Sequence, residues 1–304
     1  MRGRSSSSTP QRPGARRFAG VLLAFLIVWA APVAADDIAP VSSQAARDRA
    51  QIDSTVAAMP PPVDEAPVLY VIGVAGDGTE DVFRNEVRFL EDGVAPRLGA
   101  SARTLALINH ADSLDTVPRP LATRENLRHA LHAIAPKLRA DDLLLLYLTM
   151  HGAPDHHLGV VWPPHVDETL APKELRALLD GAGIGPRIIV VSACYAGGFI
   201  PALRAPDTLV ITAAAADRPS FGCGSESTIT FFGHAWLLDG LNRDRDFTAA
   251  YRDAVRAIAR REAALGYTPS RPQIDIGKRM RPRLARWLAT LPPAAPARYP
   301  YPVD

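Results

Sequence analysis

Two apolar runs, each ending in a reactive side chain, constrain the fold of this chain more than any other feature. The first covers residues 143–150 and leads into His151, and the second covers residues 188–193 and leads into Cys194. Runs this short and this uniformly apolar are typical of parallel strands covered by helices on both faces. Because ligands bind at the carboxyl ends of the strands in such sheets, His151 and Cys194 are expected at the functional edge. The pair predicts a thiol nucleophile with an imidazole base.

The rest of the sequence predicts helices that alternate with strands. The spacing of apolar residues predicts a helix over 81–91, Thr123 and Asp246 are expected N-caps of two further helices, and Gly181 ends a short one. Three more apolar runs are expected strands: 68–74, 104–108 and 208–212. The order β-α-β-α-β-α-β-β indicates an α/β fold with a mostly parallel central sheet flanked by helices and right-handed crossovers.

The N-terminus has the composition of a secretory signal peptide. Arginines at the start are followed by an apolar segment at 18–31 and by small residues up to Ala35. We expect residues 1–35 to be a signal peptide and the protein to be exported, either periplasmic or secreted. The alternative is an uncleaved, N-terminally membrane-anchored form, although the apolar segment is shorter than the roughly 20 residues of a spanning helix.

Proline placement and charge divide the remaining chain. Residues 36–66 end in a proline cluster and are expected to form a linker or a loosely docked arm. Residues 67–290 are the expected catalytic domain, and residues 291–304 are a Pro-rich tail expected to be extended and partly disordered. The net charge of +2 gives no argument for nucleic acid as a partner. Contact with a membrane is expected only through the N-terminal segment, if it is uncleaved.

Several motifs together resemble the legumain-like cysteine peptidases, the peptidase C13 family of clan CD. The resemblance covers roughly residues 67–280. It rests on His151-Gly152, on Ser192-Ala193-Cys194-Tyr195-Ala196-Gly197-Gly198, and on the stretches at 75–86, 212–214, 220–223 and 230–233. The resemblance implies a caspase-like three-layer sandwich, a polypeptide substrate, and no metal or cofactor. It also implies a cysteine endopeptidase in which Cys194 attacks, His151 is the general base, and the N–H groups of Gly152 and Cys194 form the oxyanion hole.

The resemblance further implies a specificity pocket. Legumain-type enzymes cut after Asn, less often after Asp, and the family's pocket arginine and one of its acids match Arg84 and Glu226. A guanidinium can hold a carboxamide oxygen while an acid accepts from the amide NH2, so the two together favour Asn. Asp77, Asp81 and Asn85 are all candidates for a group that orients His151.

Other interpretations stay open from the sequence alone. Cys194 and Cys223 are the two cysteines of the chain and could form a disulfide, although the family keeps a cysteine near the second position without pairing it to the nucleophile. A metal site is a minor alternative, built from Asp155, His156, His157 and His165. The same dyad could serve a transpeptidase or transamidase. The domain could also be an inactive caspase-like scaffold, an exported binding module that acts through the Pro-rich tail.

Overall fold

The computed structural model describes residues 39–303, so the predicted signal peptide at 1–35 lies outside the described part of the chain. The α-helices, in chain order, are Ala39–Ala58 (α1), Asp81–Phe89 (α2), Ala95–Arg97 (α3), Arg124–Ile134 (α4), Pro172–Gly181 (α5), Ile200–Leu203 (α6), Asn242–Asp244 (α7), Phe247–Ala264 (α8) and Met280–Leu288 (α9). The described chain also has π-helical stretches at Leu90–Val94 and Gly233–Leu241, and 3₁₀ turns at Ser101–Arg103, Ala111–Ser113, Ala135–Lys137 and Ala196–Phe199. The first π-helical stretch joins α2 and α3 into one continuous helix.

The strands confirm the predicted α/β class. They are Leu69–Ala75 (β1), Thr104–Ile108 (β2), Leu143–Thr149 (β3), Leu158–Trp162 (β4), Val166–Leu170 (β5), Arg187–Ser192 (β6), Thr208–Thr212 (β7) and Gln273–Ile276 (β8). A six-stranded sheet has the order β2-β1-β3-β6-β7-β8, in which only the edge strand β8 runs antiparallel to its neighbour. The separate antiparallel hairpin β4–β5 and the short strand β8 were not among the sequence predictions.

Two apolar cores cover the two faces of the sheet, which gives the three layers of a caspase-like sandwich. On one face α2, the second π-helical stretch, α8 and α9 pack through large side chains such as Phe83, Trp236 and Trp287. On the other face α1, α4, α5 and α6 pack against the opposite side of the same strands. Strands β3 and β6 are buried along their whole length, which explains why their sequences lack the alternation of an exposed strand. The predicted N-caps are also confirmed, since the side chains of Thr123 and Asp246 accept backbone N–H groups of α4 and α8.

The segment expected as a linker or loosely docked arm contains α1, and this helix packs closely against α4. Ile52 and Val56 are buried in the core on that face. Asp48 is also buried, accepts hydrogen bonds from the Asn126 side chain at 2.8 Å and the Leu121 N–H at 3.2 Å, and has a pKa raised by burial. α1 has few apolar residues on the face that meets α4. The hydrogen bonds of the buried Asp48 add polar contacts to this interface.

The Pro-rich tail has no regular secondary structure, as expected for an extended chain, and it lies against the domain. Its carbonyl groups accept hydrogen bonds from Arg97 and Asn242, and Tyr299 is buried. Within residues 39–303, no helix combines the length and the apolar character needed to cross a membrane.

Candidate active site

His151 and Cys194 leave neighbouring parallel strands at the same level of the sheet. Thr149 at the end of β3 is directly opposite Ser192 at the end of β6. His151 and Cys194 each follow two residues later, so both side chains emerge at the carboxyl edge. An open cleft of about 450 Å³ borders His151 and Gly152 and gives a peptide access to this edge.

Gly152 lies against the backbone of the nucleophile. A Cβ at this position would overlap the carbonyl oxygen of Cys194, so glycine is required for the two strand ends to approach this closely. Two hydrogen bonds hold the chain around Gly152 against the start of β4: the Ala153 N–H donates to the His157 carbonyl and the Gly159 N–H to the His151 carbonyl, both at 2.9 Å. Within residues 39–303, neither the Gly152 N–H nor the Cys194 N–H donates to a protein acceptor. Both donors are therefore available to a ligand oxygen.

The surroundings of Cys194 stabilise its thiolate. The pKa of Cys194 is lowered to about 5, first by a hydrogen bond from the Cys223 thiol, then by Ser220 and by the charge of His151, against the opposing effect of burial. The Ser220 N–H donates to Sγ at 3.2 Å, and the Ser220 hydroxyl lies 3.6 Å from Sγ. Both cysteines are free thiols in the structure. The hydrogen bond with Cys194 raises the pKa of Cys223, and the nearby carboxylate of Glu80 contributes in the same direction.

His151 is half-buried and has an apolar contact instead of a carboxylate partner. The Phe83 and His151 rings pack edge to face, with their centroids 5.1 Å apart. The three candidate orienting residues are engaged elsewhere: Asp77 accepts from Thr79, Asp81 contacts His110, and Asn85 donates to the Thr228 carbonyl. Within the described residues the predicted His151–Cys194 dyad therefore has no third hydrogen-bonded member.

A buried carboxylate connects the elements around the dyad, and sequence reasoning missed it. Glu86 is fully buried and accepts hydrogen bonds from the Tyr147 hydroxyl at 2.6 Å, the Thr149 hydroxyl at 2.7 Å and the Thr230 N–H at 2.8 Å. Gly233 packs so closely on this carboxylate that a Cβ would overlap it. Burial raises the pKa of Glu86. In the sequence, Glu86 is one charged residue among several on an amphipathic helix, and no local pattern marks it as buried.

Arg84 lies among carboxylates at the edge of the sheet. Its guanidinium forms ion pairs with Asp112 at 2.5 Å and Asp81 at 3.2 Å, and its side chain is 13% exposed. Glu226 is exposed on the loop after β7, and no ion pair joins it to Arg84. The acids beside Arg84 are thus Asp81 and Asp112, of which sequence reasoning named only Asp81, and for another role.

The histidine-rich loop after His151 does not gather its side chains in one place. His157 contacts Asp155 at 3.1 Å, His156 packs on Gly198, and the His165 ring lies 4.5 Å from that of Trp162. Among residues 39–303, no group of three or more His, Cys, Asp or Glu side chains is arranged to hold a metal ion.

Comparison with known proteins identifies the family of this chain. A comparison with curated protein sequences gives no match. The sequence model of the peptidase C13 family matches residues 127–282, just over half of the chain. The matched part includes His151, Gly152, Cys194 and Glu226 but not Arg84 or the tail. The chain therefore belongs to the peptidase C13 family, the legumain-like cysteine peptidases.

Proposed function

We propose that this protein is an exported cysteine endopeptidase that cleaves polypeptides after Asn and less readily after Asp. The observation that carries the proposal is the contact between the His151-Gly152 backbone and Cys194, which leaves two N–H donors free beside a thiol whose pKa is lowered to about 5. A thiolate, a neighbouring imidazole and paired N–H donors are the components that acyl transfer needs.

The residues have definite roles in the proposed reaction. The Cys194 thiolate attacks the peptide carbonyl, and the electron pair moves to the oxygen, where the N–H groups of Gly152 and Cys194 bind it. Protonated His151 gives its proton to the leaving amine as the C–N bond breaks, which leaves a thioester on Cys194. Neutral His151 then takes a proton from water, the hydroxide attacks the thioester, and the C–S bond breaks to restore the thiolate.

Arg84 and Asp81 support the proposed preference for Asn. The guanidinium can donate to a carboxamide oxygen, and the exposed carboxylate of Asp81, 3.2 Å away, can accept from the amide NH2. An Asp side chain would meet the same acid as a like charge, so Asn is expected to be the better substrate. The sequence resemblance proposes Glu226 as a further acid of this pocket, a role that requires its exposed loop to move towards Arg84.

The test uses the chain from Asp36 onward under reducing conditions, with peptides that differ only in the residue before the scissile bond: Asn, Asp, Ala or Arg. We expect cleavage after Asn that disappears in Cys194→Ala and His151→Ala. Mass spectrometry with an added amine separates hydrolysis from transfer to the amine. Absence of cleavage together with an unreactive Cys194 would instead support the inactive scaffold.

Arg84→Ala tests the pocket. We expect KM for the Asn peptide to rise about tenfold or more, the size expected for losing hydrogen bonds to a charged group. Arg88→Ala is the matched control, because Arg88 lies one turn further along the same helix and approaches the same Asp112 at 3.7 Å. Equal effects of the two variants would contradict a specific role for Arg84.

A further inference from the structure

The tail follows a defined path across the domain. Arg97 donates to the carbonyl oxygens of Ala295 at 2.7 Å and Ala294 at 2.9 Å. Asn242 pairs with both backbone groups of Ala297, each bond 2.9 Å long. These bonds attach an extended chain to the continuous helix that begins at α2 and to the helix that contains α7.

Beyond Ala297, the tail reaches the loop after β7, the loop that contains Ser220. The Tyr299 ring packs edge-on against Phe89, with centroids 4.9 Å apart, and its hydroxyl donates to the Thr228 carbonyl at 2.7 Å. The Thr228 hydroxyl donates in return to the carbonyl of Pro302. Asn85 on α2 donates to the same Thr228 carbonyl at 3.1 Å. Thr228 is therefore held from both sides, by the tail and by α2.

Thr228 lies in the same loop as Ser220, which contacts Cys194. The Thr230 N–H donates to Glu86, and the Phe231 N–H donates to the Phe221 carbonyl at 3.0 Å. Phe221 follows Ser220, whose N–H points at the Cys194 sulfur. The position of Thr228 thus bears on the loop beside the thiolate.

The last aromatic residue of the tail covers the predicted specificity residue. The Tyr301 ring lies 5.8 Å from the Arg84 guanidinium carbon, and the same guanidinium forms ion pairs with Asp81 and Asp112. Tyr301 also packs against Tyr299, with ring centroids 5.4 Å apart. An aromatic face over a guanidinium is an attractive contact and limits the directions from which a substrate can reach it.

We propose that the C-terminal tail is part of the substrate pocket: Tyr301 is a specificity-determining wall over Arg84, and Tyr299 is a positioning residue for the Thr228 loop. The inference rests on the proposed peptidase function, because it assigns Arg84 to the substrate. A pocket closed by Tyr301 fits a short polar side chain such as Asn and disfavours a long one.

The experiment compares Tyr301→Ala and Tyr299→Phe with Arg298→Ala, because Arg298 is an exposed tail residue that makes no hydrogen bond or ion pair within the described residues. We expect Tyr301→Ala to raise KM for the Asn peptide about threefold to tenfold, the size of one cation–π contact, with kcat little changed. Tyr299→Phe, which keeps the ring, should raise KM by a smaller factor and speed amide hydrogen exchange at Thr230 and Phe231. Arg298→Ala should match the wild type in both measurements.

Two further measurements separate the possible failures. Alkylation of Cys194 by iodoacetamide does not use the pocket, so its rate in Tyr301→Ala and in Arg298→Ala should equal that of the wild type. A changed rate in Tyr301→Ala would show that the ring acts on the thiolate and would overturn its role as a pocket wall. Adding Tyr301→Ala to Arg84→Ala should raise KM no further. A cleaving wild type whose KM is insensitive to Tyr301→Ala overturns this inference alone. A wild type that cleaves none of the peptides overturns the proposed function and the pocket role with it.

Discussion

The proposed nucleophile and the proposed Arg84 pocket lie at the same edge of the sheet but are built differently. His151 and Cys194 each follow a buried strand by two residues, and backbone contacts around Gly152 fix their approach. Arg84 is held by side chains from separate parts of the chain, with Asp112 after β2 on one side and Tyr301 of the tail on the other. In the proposed peptidase, strand register therefore sets the positions of the reacting groups, whereas long-range side-chain contacts form the specificity pocket. Substitutions at the backbone contact between Gly152 and Cys194 should have the largest effects on activity, and the substitution at the exposed Glu226 the smallest.

The strongest test of the backbone contact is Gly152→Ala. The new methyl group would overlap the carbonyl oxygen of Cys194, a backbone atom that cannot rotate away, so the strand ends must separate. Because the Gly152 N–H is a proposed oxyanion donor, kcat/KM should fall by at least about 10²–10³-fold. Gly159→Ala is the matched control, since the nearest atom to its Cβ would be 3.7 Å away. An active Gly152→Ala enzyme with unchanged thermal stability would show that the contact is dispensable.

A smaller effect is expected from the thiol beside the nucleophile. Cys223→Ala removes the largest contribution to the lowered Cys194 pKa, so the pKa should rise from about 5 towards the ordinary value of a free thiol. The rate of Cys194 alkylation at pH 6 should then fall about tenfold or more, because less thiolate is present. Cys223→Ser keeps a hydrogen-bond donor, so its alkylation rate should lie between those of the wild type and Cys223→Ala. The variants leave Cys194 as the sole thiol, so the label reports one residue.

If the pH profile of Cys194 alkylation in Cys223→Ala still had its midpoint near pH 5, Cys223 would not be the group that lowers the Cys194 pKa. The thiolate would then depend chiefly on Ser220 and His151, and Ser220→Ala should shift the profile instead.

The sequence could predict the features that depend on strand order, but not those that depend on long-range side-chain contacts. The parallel strands, the caps at Thr123 and Asp246, and the approach of His151 and Cys194 depend on local pattern and strand order, which a single sequence records. Glu86 could not be recognised as buried, because its partners Tyr147 and Thr230 come from distant segments. The packing of α1 and of the tail depends on similar buried polar contacts, at Asp48 and Tyr299, in segments with little apolar surface of their own.

The pH dependence of stability can isolate Glu86. Burial raises its folded-state pKa, so above the ordinary value near 4.5 the native protein retains a proton that the unfolded chain releases. This contribution stabilises the fold at low pH and is lost as pH rises through the folded pKa, with a slope of up to about 1.4 kcal/mol per pH unit. In Glu86→Gln the slope should disappear, as measured by urea unfolding at a series of pH values. Glu65→Gln is the control, because that carboxylate is exposed on the segment before β1. A Glu86→Gln profile parallel to the wild type would show that Glu86 keeps its ordinary pKa.

The smallest effect is expected at Glu226. Its carboxylate is exposed and makes no ion pair with Arg84, so Glu226→Gln should change the Asn-over-Asp preference by less than about twofold. The ratio of kcat/KM for the two peptides, compared with that of Arg84→Ala, measures this directly. A loss of preference as large as in Arg84→Ala would mean that the loop at 224–226 closes over the substrate and brings Glu226 to the guanidinium. In that case the pocket becomes zwitterionic in the way the family resemblance predicts, and specificity depends on loop closure as well as on the walls formed by Asp81 and Tyr301.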